Sequence, residues 1–200
     1  MVLNEHQSDA LRELTNIAVG RAAAALSDLT GRRVLLEVPH TRICSITELP
    51  VTLSGLMSGE VATVHQIFTG PVAGDALLLL SHEAATTLTK LLTDEPISSK
   101  RLNVSDQEVL IEIGNIVLNA CLGMFGNLLQ VHISFSVPRL HLDALDTLLD
   151  SLVIGTEELR YALVVSTTFR LQDTQVGGHL IIVLGVASLE HLLSEIEALG

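Results

Sequence analysis

The order of elements along this 200-residue chain predicts an α/β domain of two pseudo-symmetric helix–strands–helix halves that share a mainly antiparallel sheet core, with two long helices on the outside. Three observations predict it. A shift of 99 residues lays the first half on the second, pairing Glu13 with Glu112, Asn16 with Asn115 and Pro39 with Pro138. Each half opens on apolar residues at helical spacing. The candidate strands that follow are separated by gaps too short for parallel crossovers.

The repeat also matches Leu11, Ile17, Leu29 and Val38 with Leu110, Ile116, Leu128 and Val137, seven identities over the 31 positions from Asp9 to Pro39. In the first half Leu11, Leu14, Ala18, Ala22, Ala25 and Leu29 form an apolar stripe. Their partners Leu110, Ile113, Val117, Cys121, Met124 and Leu128 are all apolar too. Asn4 followed by Gln7 reads as a loose capping box for the first helix, and Gly31 as its stop. Ser105 followed by Glu108 reads as the capping box of the second, which would hold Glu108.

Arg33 to Val38 and Val131 to Val137 are β-branched, alternating stretches closed by the two prolines, and are expected as strands. Further strands are expected at Thr41 to Ile46, Glu60 to Phe68 and Gly74 to Leu80, then at Tyr161 to Leu171 and Gly178 to Leu184. A short helix from Leu142 to Leu152 is expected in the second half only. The last strand of each half feeds a helix, since GDALLLLSHEAATTLTKLL resembles GHLIIVLGVASLEHLLSEI at a shift of 104, five residues more than the first repeat. The expected organisation is one domain over 1–200, with repeats at about 4–94 and 103–199 and a linker at 95–102, marked by Pro96 and two serines. Leu- and Val-rich strands with little polar alternation need cover on both faces, so the halves are expected to share a core.

Composition excludes several functions. Eleven Lys and Arg against 23 Asp and Glu leave a net charge of −12, which repels nucleic acid and anionic membrane surfaces. Aromatics are 2% and Trp is absent, so base stacking is not expected. The two cysteines, Cys44 and Cys121, form no CxxC, and the first residues lack a signal peptide's basic start and apolar core, so a reducing cytoplasm is expected. The longest apolar runs, such as Ala76 to Leu80 and Leu180 to Val186, are too short to span a bilayer, and no membrane insertion is expected. Eight histidines are scattered without HxxxH spacing, Cys121 and Met124 sit in the apolar stripe, and neither a P-loop nor a GxSxG elbow occurs.

On a helix turning about 100° per residue, Asp9, Glu13, Asn16 and Gly20 fall within an arc roughly 60° wide, opposite the apolar stripe. Glu108, Glu112, Asn115 and Asn119 do the same in the second copy. Such residues on an exposed face are usually only solvated. Yet asparagine is a mediocre helix former, and finding it twice in mid-helix at the same offset from a glutamate asks for a reason that packing does not supply.

The pattern Glu-x-x-Asn, 22 residues, then Pro is met twice, from Asn16 to Pro39 and from Asn115 to Pro138. It resembles the signature of the CheC, CheX and FliY family of chemotaxis phosphatases. ELTNIAVGRAAAAL, FTGPVAGDALLLL and above all EIGNIVLNACLG from Glu112 are similar to CheC proteins, so the resemblance runs nearly the whole length. It implies a CheC-like fold and a hydrolase acting on the aspartyl-phosphate of a CheY-type receiver. Asn16 and Asn115 would hold the attacking water, and Glu13 and Glu112 would pair with the receiver's active-site lysine. It implies no cofactor in this chain, the magnesium ion coming with the phosphorylated partner. The alternatives are a weakly catalytic or non-catalytic module that regulates the receptor deamidase CheD, or a scaffold like the middle domain of the flagellar switch proteins. The sequence departs from the family pattern at Glu108, where Asp or Ser is usual and Asp9 conforms, and at Thr15, where Gly114 shows the commoner residue. Asn119 replaces the glycine seen as Gly20 and would crowd an approaching backbone.

Overall fold

A computed structural model describes residues 3–37, 39–93, 102–148, 160–171 and 174–198. Helix α1 spans Glu5–Thr30 and is followed by strands β1 (Val34–Leu36) and β2 (His40–Ser45), helix α2 (Leu49–Ser54), strands β3 (Glu60–Thr69) and β4 (Gly74–Ser81) and helix α3 (His82–Thr93). The second half repeats the order with α4 (Val104–Leu128), β5 (Ser134–Phe135), β6 (Arg139–Ala144), β7 (Arg160–Leu171), β8 (Thr174–Gly185) and a last helix, α5 (Val186–Ala198).

Among the described residues all strands join one eight-stranded sheet in the order β1-β7-β8-β4-β3-β5, with β2 also on β7 and β6 also on β3, every pairing antiparallel. The halves are interlocked. Strands β1 and β2 of the first half pair with β7 of the second, and β5 and β6 of the second pair with β3 of the first. At the centre β4 lies on β8, from Gly74 opposite Leu184 to Leu79 opposite His179.

The sheet is buried on both faces, as its unbroken apolar strands require. Along β4, Ala76, Leu78 and Leu80 point into a core under the long helices with Leu11, Leu26, Leu110 and Val117. Leu77 and Leu79 point the other way, into a smaller core with Ile46, Leu49, Leu53, Leu145 and Leu148. By length and composition α4 could cross a membrane, its apolar window having a mean hydropathy of 1.7, but 56% of that window is buried inside the domain. The core accounts for its apolarity.

The helix ends follow from their caps. Asn4 Oδ1 accepts from Gln7 N–H at 2.8 Å and Asn4 N–H donates to Gln7 Oε1 at 3.0 Å, while Gln7 Nε2 reaches Glu197 Oε1 of α5 at 2.7 Å. Gly31 closes α1 with φ +65°, where a side chain would be strained. At α4 the expected Ser105–Glu108 box is replaced by Asn103 and Asp106, two residues earlier. Asn103 Oδ1 accepts from Asp106 N–H at 2.9 Å and Asn103 N–H donates to Asp106 Oδ2 at 2.8 Å. The other oxygen of Asp106 accepts from Lys90 Nζ of α3 at 2.8 Å, both side chains at most 3% exposed. A carboxylate that can serve the cap and a buried ammonium together wins over one that could serve the cap alone.

The five long strand expectations stand to within a residue or two, except that β8 begins at Thr174, four residues before Gly178. The two strands before the prolines are shorter than expected, three and two residues. Their outer residues turn elsewhere, Ile133 into the core at 8% exposure and Val137 into solvent at 81%; Val38 lies outside the described residues. Residues 142–144, expected as helix, extend β6 because Leu142 pairs with Ala62 in the ladder. The helical turn begins at 145 and residues 149–152 lie outside the described residues. Nor does the first half lack a short helix, since α2 occupies the place. Of the expected linker, 95–101 also lies outside the described residues.

Both cysteines are free and buried. Burial pushes the Cys121 thiol up to about 12 and raises that of Cys44 as well. Neither is therefore expected to react with a disulfide reagent in the native protein at mildly alkaline pH, and both are expected to react after denaturation, as a thiol titration will show. Gly114 lies against β3, where an added Cβ would meet the side chain of Val64, with Cβ to Cβ at 2.5 Å. Gly114→Ala is expected to cost about 1–3 kcal/mol of stability, measured by urea unfolding.

Candidate functional site

Helices α1 and α4 pack on the same face of the sheet, and the residues they bury dictate what they expose. On α1 the buried set is Leu11, Thr15, Ala18, Val19, Ala22, Ala23 and Leu26, rotated somewhat from the expected stripe. Ala25 and Leu29 are exposed. On α4 it includes Asp106, Leu110, Ile113, Gly114, Val117, Leu118, Cys121 and Leu122. Glu13 and Glu112 are left exposed on the opposite faces, with Asn16 and Asn115 half-buried one turn on.

The residue before each asparagine shows why the motif tolerates different neighbours. Thr15 is buried at 3% exposure and satisfies its hydroxyl on its own helix, donating to Leu11 O and Arg12 O, each at 2.9 Å. Its counterpart Gly114 has no side chain because α4 lies directly on Val64. Either residue leaves the Glu and Asn facing outward.

Neither Glu13 nor Glu112 makes a hydrogen bond or ion pair among the described residues. Asp9 is engaged by Arg12 at 3.3 Å, an exposed pair of small worth. Glu108, expected to be held in a cap, is exposed and unengaged among the described residues, because Asp106 took that place. The two asparagines differ. Asn16 makes no side-chain hydrogen bond among the described residues, whereas Asn115 Oδ1 accepts from Asn119 Nδ2 at 2.8 Å. That contact was legible as an i, i+4 spacing of two amides.

The prolines that close the signature end the short strands. Two residues before each, the chain is pinned to a strand of the other half. Glu37 N–H donates to Thr168 O at 3.0 Å and its carbonyl accepts from Thr167 Oγ1 at 2.8 Å. Ser136 N–H donates to Ile67 O at 2.9 Å and its carbonyl accepts from Gln66 Nε2 at 2.9 Å. The 22-residue spacing is thus the length of chain that finishes the motif helix, turns, and crosses to the partner half.

The histidines are less scattered in space than in sequence. His65 Nε2 lies 3.0 Å from Asp75 Oδ1, and the His65 and His141 rings are 6.2 Å apart. They belong to β3, β4 and β6, on the sheet face turned away from the motif helices, and no spacing signal could have joined residues 76 positions apart. Among the described residues no three His, Cys, Asp or Glu side chains form a group able to hold a metal ion. Burial lowers the pKa of His179, whose Nδ1 is 2.8 Å from Ser166 Oγ.

Twin helices thus present Glu-x-x-Asn on the outward side of one layer of an interlocked antiparallel sheet. Residues 7–42, the first motif helix and the strands after it, match the model of the CheC-like family. The CheY-P phosphatase CheC of Bacillus subtilis (strain 168) is 26% identical over 202 residues, 98% of this chain and 96% of that protein. Among solved structures, Thermotoga maritima FliY superposes with a TM-score of 0.80 at 20% identity, covering 99% of each chain. The FliM middle domain from H. pylori shares the fold at a TM-score of 0.64 and 13% identity, covering 96% and 99%. CheX, solved with CheY, BeF3 and magnesium from Borrelia burgdorferi, does so at 0.50 and 13%, covering 83% and 95%.

Gly20 continues the outward face of α1, and a Cβ added there would meet nothing within 4 Å. Packing does not require the glycine. Gly20→Ala is expected to stabilise the protein by about 0.5–1 kcal/mol, seen as a higher midpoint in urea.

Proposed function

We propose that this chain is a protein phosphatase that hydrolyses the aspartyl-phosphate of a CheY-type receiver. The observation that carries the reading is the outward presentation, twice, of a glutamate with no intramolecular partner among the described residues, one turn from an asparagine. The names of the Bacillus subtilis relative and of the CheX–CheY complex support it.

In this reading Asn16 and Asn115 hold a water in line with the phosphorus. The water oxygen bonds to phosphorus, the bond from phosphorus to the aspartate oxygen breaks, the carboxylate leaves, and the water's proton passes to the released phosphate. A carboxamide is too weak a base to pull that proton, but a loose phosphoryl transition state asks mainly for position. Glu13 and Glu112 are negative and would repel the phosphoryl group, so they pair instead with a cation of the partner, its active-site lysine. Such pairs set orientation more than affinity. The magnesium ion belongs to the receiver's acidic pocket, and this chain supplies no cofactor.

The shared fold of the FliM middle domain favours a second reading, a scaffold without catalysis. Regulation of CheD is compatible with either, and no residue described here is assigned to it. The experiment is to follow loss of the acyl phosphate from a phosphorylated receiver. The wild-type chain is expected to speed the loss, and Asn16→Ala or Asn115→Ala each to lower the rate. The double substitution is expected to remove about 10²-fold of the acceleration. Unchanged decay with several receivers, or full activity in the double variant, would establish the scaffold instead.

A further inference from the structure

Of the two differences between the outward arcs of the motif copies, Asp9 against Glu108 and Gly20 against Asn119, the second reaches the candidate catalytic side chain. Asn119 lies four residues after Asn115 on α4, and its Nδ2 donates to Asn115 Oδ1 at 2.8 Å. In the first copy Gly20 holds this place, with nothing within 4 Å of where a Cβ would stand, and Asn16 has no such donor.

Asn119 is a poor choice for stability. Asparagine is a mediocre residue in a helix interior. Here its own Oδ1 is buried and has no hydrogen-bond partner among the described residues, a costly arrangement for a polar atom. Yet it fixes the carboxamide of Asn115. A carbonyl oxygen has two lone pairs and an amide nitrogen two hydrogens. Accepting from Asn119 uses one lone pair, which leaves the second lone pair and both N–H groups of Asn115 for a ligand, in a plane already set. Asn16 must give up its rotamer freedom when the ligand arrives.

We infer that Asn119 is a positioning residue that pre-sets Asn115 and makes the second site the faster of the two, acting on the held water and not on receiver binding. The inference rests on the phosphatase reading for its kinetic consequence. Its structural half stands independently.

Two measurements separate these. The first is side-chain amide relaxation by NMR. Asn119→Leu keeps the bulk and loses the donor, and is expected to lower the order parameter of the Asn115 amide to that of Asn16. Asn119→Gln, which retains a donor, is expected to restore part of it. The second is kinetic and uses Asn16→Ala protein, so that only the second site acts. There Asn119→Leu is expected to lower kcat about threefold to tenfold, the worth of freezing one side chain, with KM unchanged and partial rescue by Asn119→Gln. In Asn115→Ala protein, Gly20→Asn is expected to raise kcat of the first site.

An unchanged order parameter, an unchanged kcat in an active Asn16→Ala protein, or a faster Asn119→Leu would each overturn the inference. If the wild-type chain does not speed loss of the acyl phosphate, the phosphatase reading fails, and the relaxation data alone decide whether Asn119 positions Asn115.

Discussion

The exchange of edge strands between the halves is the constraint on which the rest of the structure depends. Strand β3 finds its outer neighbours in β5 and β6, and β7 finds its own in β1 and β2. Each half would otherwise leave a long strand edge of unpaired backbone groups and an apolar face without cover. Interlocked, the halves share one sheet with β4 and β8 at its centre, and the conformational cost of ordering either is offset by burial supplied by the other.

This arrangement also decides where the motif can lie. Because both long helices must cover the same face of the sheet, each buries about half its circumference and shows the other half outward. The Glu-x-x-Asn pairs lie on the half that is shown. Packing and function are therefore separated around each helix, and this lets Thr15 and Gly114 differ: one caps its hydroxyl onto its own turn, the other admits Val64, and the outward residues are indifferent to which solution is used.

Near-symmetry of this kind leaves room for the sites to diverge. Substitutions on the buried side are held by the shared core, while the outward side answers only to helix propensity and to ligands. Gly20 and Asn119 are both unfavourable residues for a helix interior, and they occupy equivalent outward places. The second copy is also the more firmly tied, through the buried Lys90–Asp106 pair and the cap that Asp106 closes. Asn119 adds to that order at the motif itself.

The helices, five of the strands and the outward residues were legible in the sequence because they rest on local periodicity: 3.6 for the stripes, unbroken apolar runs for buried strands, and a repeat that made a solvated face conspicuous. The expected helix from Leu142 was not, although adding 99 to the bounds of β2 gives those of β6, 139 to 144. Arg139 to Ala144 do alternate polar and apolar residues, but the run is short and mostly exposed, and Glu60 to His65 supply the ladder partner that makes it a strand. The capping of α4 went to Asp106 and not Glu108 because Lys90 of α3 binds the other oxygen of the same carboxylate. By itself, then, the sequence determined the fold class, the two motif helices and the identity of their outward residues. The tertiary structure decided the strand exchange and the choice of cap, since each depends on partners that only folding brings within reach, whereas the meeting of Asn119 with Asn115 is local to one helix.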